Sequence, residues 1–279
     1  MKKYAIFTMD VEAFCDTECL KNKGLESYDQ MFDGIDNYLA LLDKYNIKAD
    51  LFIVANIADQ IQDKLENAIK RGHKLSIHGL SHTAPLLLSV NQFKEDIALA
   101  KYKLEKMFNT KVLGYRAPCF SLDDTRLDIL KEIGLTYDSS YLNHPVTYHH
   151  GNIKISRFTS ISKGIYIKDN FYEFAIPKVD KIPIGGGGYI RLFPWSFVNR
   201  KLKKYIKNND LYIFYLHPFE VSNVEIPKIK RLKDYDKFYL KRNKGQEYLK
   251  RNEKIINVLK DNDFEFITFE ELIEKKSDI

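Results

Sequence analysis

Five short apolar runs in this chain each end in a residue that can hold or move a proton. Tyr4 to Met9 runs into Asp10-Val11-Glu12, and Lys74 to Ile77 runs into His78, with His82 four residues further on. Val112 to Tyr115 ends in Arg116, Leu135 to Tyr137 in Asp138, and Leu211 to Leu216 in His217. If these runs are parallel strands, their carboxyl ends converge at the top of a barrel, where such enzymes carry their chemistry. The spacing of His78 and His82 lets one turn aim both imidazoles at a single point, and imidazole nitrogen is a good ligand for zinc and its transition-series neighbours. A carboxylate from Glu12 or Asp10 completes a His-His-carboxylate set. Three protein ligands leave a place for water, whose pKa a bound metal lowers to about 7 in favourable cases. Hydrolysis of an amide then needs a base for the water and an acid for the departing amine. Asp10 is the candidate base, with Arg116 to keep it ionised and oriented, and His217 is the candidate acid from the opposite side. The plainer readings are histidines with ordinary hydrogen bonds, a structural salt bridge at Arg116 and a capped strand end at His217. Five coincident strand ends weigh against all three.

The elements that must position these residues alternate along the chain. Tyr4 to Met9 and Leu51 to Val54 are continuously apolar, as strands buried on both faces are. Met31, Ile35, Tyr38, Leu39 and Leu42 recur at helical spacing between Tyr28 and Tyr45. Ile57, Ile61, Leu65 and Ala68 mark a second helix, with Gly72 placed to end it. Ser89 followed by Gln92 is a capping box that opens a helix through Phe108. Asp124 is placed to cap a helix carrying Leu127, Leu130 and Ile133, closed by Gly134. Helices are also expected from Trp195 to Asn208 and from Gln246 to Lys260, and a last strand from Phe264 to Ile267. Between Ser140 and Gly188 the helical signal vanishes, which predicts loops and short strands. A long polar loop is expected from Leu216 to about Asn243. Strands separated by helices imply parallel βαβ units. With no repeat, low-complexity tract or linker, residues 1–279 read as one catalytic domain with an irregular insertion around 140–188.

Composition narrows the class. An apolar fraction of 44% with 29% charged residues is that of a soluble globular protein with ample core. The formal charge of +6, with Lys and Arg concentrated after Arg200, reads as a solvated surface, or as a match for an anionic glycan or lipid-phosphate-linked sugar. No nucleic-acid motif accompanies it. Cys15, Cys19 and Cys119 are an odd, sparse set that points to a reducing compartment. No stretch approaches the about 20 apolar residues that span a bilayer, and the N-terminal apolar run breaks at Asp10. The expected location is therefore the cytoplasm. Nothing in the sequence bears on oligomeric state.

In order, Thr8-Met9-Asp10-Val11-Glu12, His78-Gly79-Leu80-Ser81-His82, Arg116-Ala117-Pro118-Cys119-Phe120 and Leu216-His217-Pro218 resemble four motifs of the polysaccharide deacetylase (NodB-homology, carbohydrate esterase) family. Ile184-Gly185-Gly186-Gly187-Gly188-Tyr189, with Tyr215 to Glu220, is similar to the subgroup with a D-V-E first motif, associated with exopolysaccharide and surface-glycan clusters. The resemblance runs from Tyr4 to Leu272. It implies an α/β fold of distorted (β/α)7 barrel type and one divalent metal, usually zinc, held by Glu12, His78 and His82. Asp10 would be the base, tethered by Arg116, and His217 the acid, oriented or tuned by Asp138. The backbone N–H near Phe120 would share oxyanion stabilisation. The implied reaction removes the N-acetyl group of an amino sugar in a surface polysaccharide or its precursor. Two departures stand out. Val11 separates carboxylates that are adjacent aspartates in the common first motif, which leaves room for Asp10 and Glu12 to exchange roles. Gly79 replaces the usual Ser or Thr, so something else must orient that loop.

Other residues were weighed as contacts. Phe120, Tyr189 and Trp195 could each stack on a sugar ring or simply pack in the core. Gly185 to Gly188 lacks the Lys-Ser or Lys-Thr of a phosphate loop and reads as a turn that admits backbone close to substrate. His144, His149 and His150 lie in the irregular segment as possible substrate contacts, and His73 reads as structural. Two rivals to the deacetylase reading are a hydrolase of a formyl or non-sugar amide on the same scaffold and a non-catalytic glycan-binding module. A binding module has no need of a proton-transfer pair.

Overall fold

The structure, a computed structural model, describes residues 2–142, 151–230 and 232–277; His144, His149 and His150 lie outside the described residues. The strand Lys3–Val11 (β1) is buried along almost its whole length, as an apolar run without alternation must be when both sheet faces are covered. Ala49–Ile53 (β2) and Lys74–Ile77 (β3) follow the same rule, while Gly114–Tyr115 (β4) and Tyr137–Asp138 (β5) are only two residues long. Five short strands come next: Thr159–Ser162 (β6), Ile165–Lys168 (β7), Phe171–Phe174 (β8), Lys178–Val179 (β9) and Ile182–Pro183 (β10). Leu211–Leu216 (β11) and Phe264–Phe266 (β12) complete the set.

Side by side, β11, β1, β2, β3, β4, β5 and β8 all run parallel. The sheet continues antiparallel through β7 and β6, and β12 pairs with the first residues of β1. The α/β class expected from the sequence is thus the observed one, with its parallel strands alternating with helices. The insertion expected around 140–188 contains the β6–β7–β8 meander and a separate β9–β10 hairpin.

The helices form where an apolar stripe can be buried. In Asp33–Lys44, Ile35, Tyr38, Leu39 and Leu42 are buried at 3–4-residue spacing, each contributing roughly 1.5–3 kcal/mol. The helix starts later than its apolar pattern suggested, because Met31 adopts a positive φ. Val90–Phe108 opens on the expected box, with the Gln92 amide donating to Ser89 Oγ and the Ser89 amide donating to Gln92 Oε1. The helix Asp124–Glu132 is capped by Asp123, whose carboxylate accepts the Arg126 amide, not by Asp124. Two further departures are the helix Asp234–Lys241 inside the expected polar loop and the helix Phe269–Ser277 after β12. Asp234–Lys241 buries only Leu240, so it leaves almost no apolar period to detect.

One backbone contact ties a helix to the strand end that bears His217. Gly34 faces the main chain of Pro218 so closely that an added Cβ would sit 1.9 Å from the Pro218 carbonyl oxygen. Gly34→Ala should therefore lower stability by about 2–4 kcal/mol through overpacking, read as a drop in the urea midpoint. An unchanged midpoint would show that the helix retreats without cost and that the contact positions nothing.

Candidate active site

The carboxyl ends of the parallel strands hold most of the residues singled out by their chemistry. Arg116, just past β4, has no exposed surface. Its Nη1 donates to Asp10 Oδ1 at 2.7 Å and to Thr8 Oγ1 at 2.7 Å, while Nε and Nη2 donate to the carbonyl and hydroxyl of Ser139, each at 3.1 Å. The guanidinium also lies 4.1 Å from the centre of the Phe52 ring. A buried cation so fully bonded is fixed in place, and with it Asp10, which is only 2% exposed.

The same residue orients the first histidine. The Arg116 carbonyl lies 2.8 Å from His78 Nδ1. A carbonyl only accepts, so Nδ1 carries the proton and Nε2 presents its lone pair. Burial pushes His78 down to about 4, which keeps the ring neutral, as a metal ligand must be. Glu12 and His82 complete the group, with His82 Nε2 at 2.7 Å from Glu12 Oε2. Burial alone would raise the Glu12 carboxyl, but the surrounding His82, His217 and His78 outweigh it and bring it to about 2. Ligand atoms of Glu12, His78 and His82 all lie within 4.8 Å of one another. An ionised carboxylate, a neutral imidazole with its lone pair free, and a second imidazole fit a divalent transition metal.

Gly79 is explained by its φ of +92°, where a Cβ would meet the Ser81 carbonyl oxygen at 2.6 Å. Main-chain bonds do the orienting that a Ser or Thr hydroxyl would have done. Ala55 N–H donates to the Gly79 carbonyl at 3.0 Å and Asn56 N–H to the Leu80 carbonyl at 2.9 Å.

His217 stands across the cleft. Its backbone N–H donates to Glu220 Oε2 at 3.1 Å, and its Nδ1 also lies 3.1 Å from that oxygen. Glu220 in turn pairs with Arg191 at 2.9 Å, both with no exposed side-chain surface. Burial opposes charge on His217, but Glu12, Glu220 and Asp10 outweigh it and lift the imidazolium to about 9. Asp138 therefore does not occupy the place expected of it. It accepts the amide and hydroxyl of Ser140 at 2.9 and 2.7 Å, and the same hydroxyl accepts the Ala117 N–H at 2.8 Å. Asp138 braces the Arg116–Ala117 segment, while Glu220 is the carboxylate on His217. Burial raises Asp138 to about 6 against the lowering effect of its hydrogen bonds with Glu173 and Ser140, while burial and the Asp138 charge push Glu173, its partner across β5 and β8, well above the carboxylate range. A signal for Glu220 was present in the sequence: it sits three residues after His217, the spacing of a capping box. Arg191 had none.

A cleft of about 940 Å³ joins Asp10, Glu12, His78, His82 and His217 and is also lined by Phe120 and Tyr189. Of the backbone N–H groups near Phe120 expected to share an oxyanion, that of Phe120 itself donates to the Ala117 carbonyl at 2.9 Å. The cause is two consecutive left-handed residues, Cys119 (φ 57°) and Phe120 (φ 55°), that curl the loop back on itself. The Phe120 ring packs edge-on against Tyr215 at 5.4 Å. Gly186 pairs with Tyr215 where an added Cβ would be 1.8 Å from the Tyr215 carbonyl oxygen, so the glycine run allows close approach to β11 at this point. Trp195 is not at this cleft. It opens the helix Trp195–Ile206 and lines a separate groove with Asn199 and Lys254, whose ammonium is 5.6 Å from its ring. Burial raises the thiols of Cys15, Cys19 and Cys119 to about 11, so none offers a thiolate at neutral pH.

Residues 27–137 match the polysaccharide deacetylase family model, and residues 144–274 match a domain family of unknown function, DUF3473. Over 113 residues the chain is 23% identical to the peptidoglycan deacetylase-like protein FGM2 of Gibberella zeae, covering 40% of this chain and 33% of that protein. The aligned part thus spans about a third of that curated relative. The fold is similar to that of an inferred polysaccharide deacetylase from Mycobacterium smegmatis, with a TM-score of 0.68 at 15% identity over 99% of this chain and 91% of the other. It is also similar to a CE4-family pseudoenzyme from Bacillus anthracis, with a TM-score of 0.56 at 12% identity over 98% and 66% of the two chains. At these identities the structural likenesses speak to the fold. Residues 27–137 thus match the polysaccharide deacetylase family, and the chain as a whole has a fold similar to that of the solved polysaccharide deacetylases.

Proposed function

We propose that the chain is a metal-dependent N-deacetylase that hydrolyses the N-acetyl group of an amino sugar in a surface polysaccharide or its precursor. The observation that carries this reading is the convergence in one cleft of a carboxylate on a buried arginine, a His-His-Glu group and a carboxylate-backed histidine. A divalent ion, with zinc as the proposed one, held by Glu12, His78 and His82 would polarise the acyl carbonyl and acidify a water. Asp10, held and oriented by Arg116, takes a proton from the attacking water. His217, charged and held by Glu220, donates its proton to the amine nitrogen as the C–N bond breaks, giving acetate and the free amino sugar. A glycan-binding module would have no use for either proton-transfer group.

Elemental analysis of purified protein should find about one divalent ion per chain, lost in His78→Ala/His82→Ala. Wild type that neither retains nor rebinds metal would rule the reading out. Asp10→Asn should keep the ion yet lower kcat by about 10²–10⁴-fold on an N-acetylated sugar oligomer, and a variant that turns over normally would remove Asp10 from the mechanism.

Glu220→Gln removes the charge that supports the His217 cation. Because a raised imidazolium pKa keeps the acid protonated up to higher pH, its loss should move the alkaline limb of the pH–kcat profile to lower pH, with KM nearly unchanged. A profile that keeps its alkaline limb would confine Glu220 to structural support of Arg191.

A further inference from the structure

We propose that the mouth of the catalytic cleft is a docking surface for an anionic lipid membrane. The inference goes beyond the catalytic reading and needs no turnover to be true. Ten large hydrophobic side chains are exposed among the described residues, and four of them, Tyr189, Phe193, Tyr235 and Phe238, lie on the rim of this one cleft. All four are aromatic, and Tyr235 is 68% exposed. Contiguous exposed apolar surface of this kind marks an interaction site.

A basic segment borders the cleft, whose lining includes Lys233 alongside the carboxylates of Glu18 and Asp236. Residues 226–244 contain eight basic and two acidic residues, so the chain's whole formal charge of +6 resides there and the remainder is neutral. Lys228, Lys230, Lys233, Lys237 and Lys241 are exposed, and Lys233 lines the cleft itself. The helix Asp234–Lys241, which carries Tyr235 and Phe238, buries only Leu240. Tyr235, Phe238, Lys237 and Lys241 are exposed on it together, while Tyr239 packs inward against Arg191 and Phe219.

Aromatic rings settle at the headgroup level of a bilayer, and clustered lysines are drawn to anionic lipid. A neutral acetylated glycan would give the rings a stacking partner and leave the lysines with none, whereas an anionic bilayer engages both. No helix among the described residues is long and apolar enough to cross a membrane, so the contact is peripheral. Docked this way, the cleft opens toward the bilayer, where a sugar carried on a lipid headgroup would be presented to Asp10 and His217.

Co-sedimentation of the full chain, with and without added metal, on vesicles of phosphatidylcholine alone and of phosphatidylcholine with phosphatidylglycerol tests the proposal. Binding is expected only where phosphatidylglycerol is present. Lys228→Gln/Lys230→Gln and Tyr235→Ser/Phe238→Ser should each weaken it by at least about tenfold. The equal-charge control Lys70→Gln/Lys106→Gln, on exposed lysines of other helices, should leave it in place. Thermal melts would verify that every variant is folded, which the exposure of the substituted residues favours. Three results would overturn the proposal. One is no binding of wild type to the anionic vesicles. Another is equal weakening by the control pair, or no effect of the aromatic pair, which would reveal adsorption by net charge alone. The third is tight binding of soluble N-acetylglucosamine oligomers, lost in Tyr235→Ser/Phe238→Ser, without vesicle binding, which would make the aromatics a glycan platform. Because metal content and turnover play no part in the readout, failure here leaves the deacetylase reading standing, and failure of that reading leaves this one testable.

Discussion

A guanidinium with no route to water sits beneath the site, and the arrangement of the strand ends follows from keeping it satisfied. Arg116 spends its donors on Asp10, Thr8 and Ser139 and lays its plane on Phe52. Leaving such a cation without its partner costs about 3–5 kcal/mol, so β1, β4 and the segment after β5 cannot drift apart. The residue acts twice, because its carbonyl also sets the tautomer of His78. Asp10 and His78 are thus referred to one rigid point. Strands as short as β4 and β5, with two residues each, are enough here because side-chain bonds from Asp138 through Ser140 to Ala117 extend the ladder.

A second wholly buried ion pair, Arg191 with Glu220, holds the opposite wall. Arg191 is flanked by the rings of Phe219 and Tyr239 and donates to the Arg242 carbonyl at 2.7 Å. It connects the glycine-rich segment, the His217 turn and the basic helix in one polar core. Each candidate proton-transfer group is therefore backed by an arginine, one directly and one through a carboxylate, and the Glu12, His78 and His82 group lies in the cleft they share. The two supports differ in what they do. Arg116 fixes the position of Asp10 through a direct ion pair, whereas Glu220 favours the cation of His217.

Most of this was legible because parallel strands deliver their last residues to one face. Asp10, Glu12, His78, His82, Arg116 and His217 could be picked out from the ends of apolar runs and are found together. What escaped depended on tertiary geometry. Arg191 reaches Glu220 only through the packing of distant segments. Trp195 looked like a sugar contact by type, yet its helix turns it to the groove shared with Asn199 and Lys254. The motif placed an oxyanion donor near Phe120 without saying which amide, and two left-handed residues turn that of Phe120 itself to Ala117. The helix Asp234–Lys241 has Leu240 as its one fully buried residue, with Tyr239 half-buried beside it, and two adjacent positions make no helical period.

The strand that carries Asp10 is framed by partners from far along the chain. β1 pairs with β2 on one side, with β11 on the other, and at its first residues with β12. During synthesis, then, the aspartate stays without its full sheet until more than two hundred further residues have followed it. Pairings of such long sequence separation close slowly, and an apolar strand waiting for its neighbours invites wrong ones. The nascent chain therefore carries this apolar strand unpaired on one side while the intervening residues are made, and the cleft is completed only once β11 has been added.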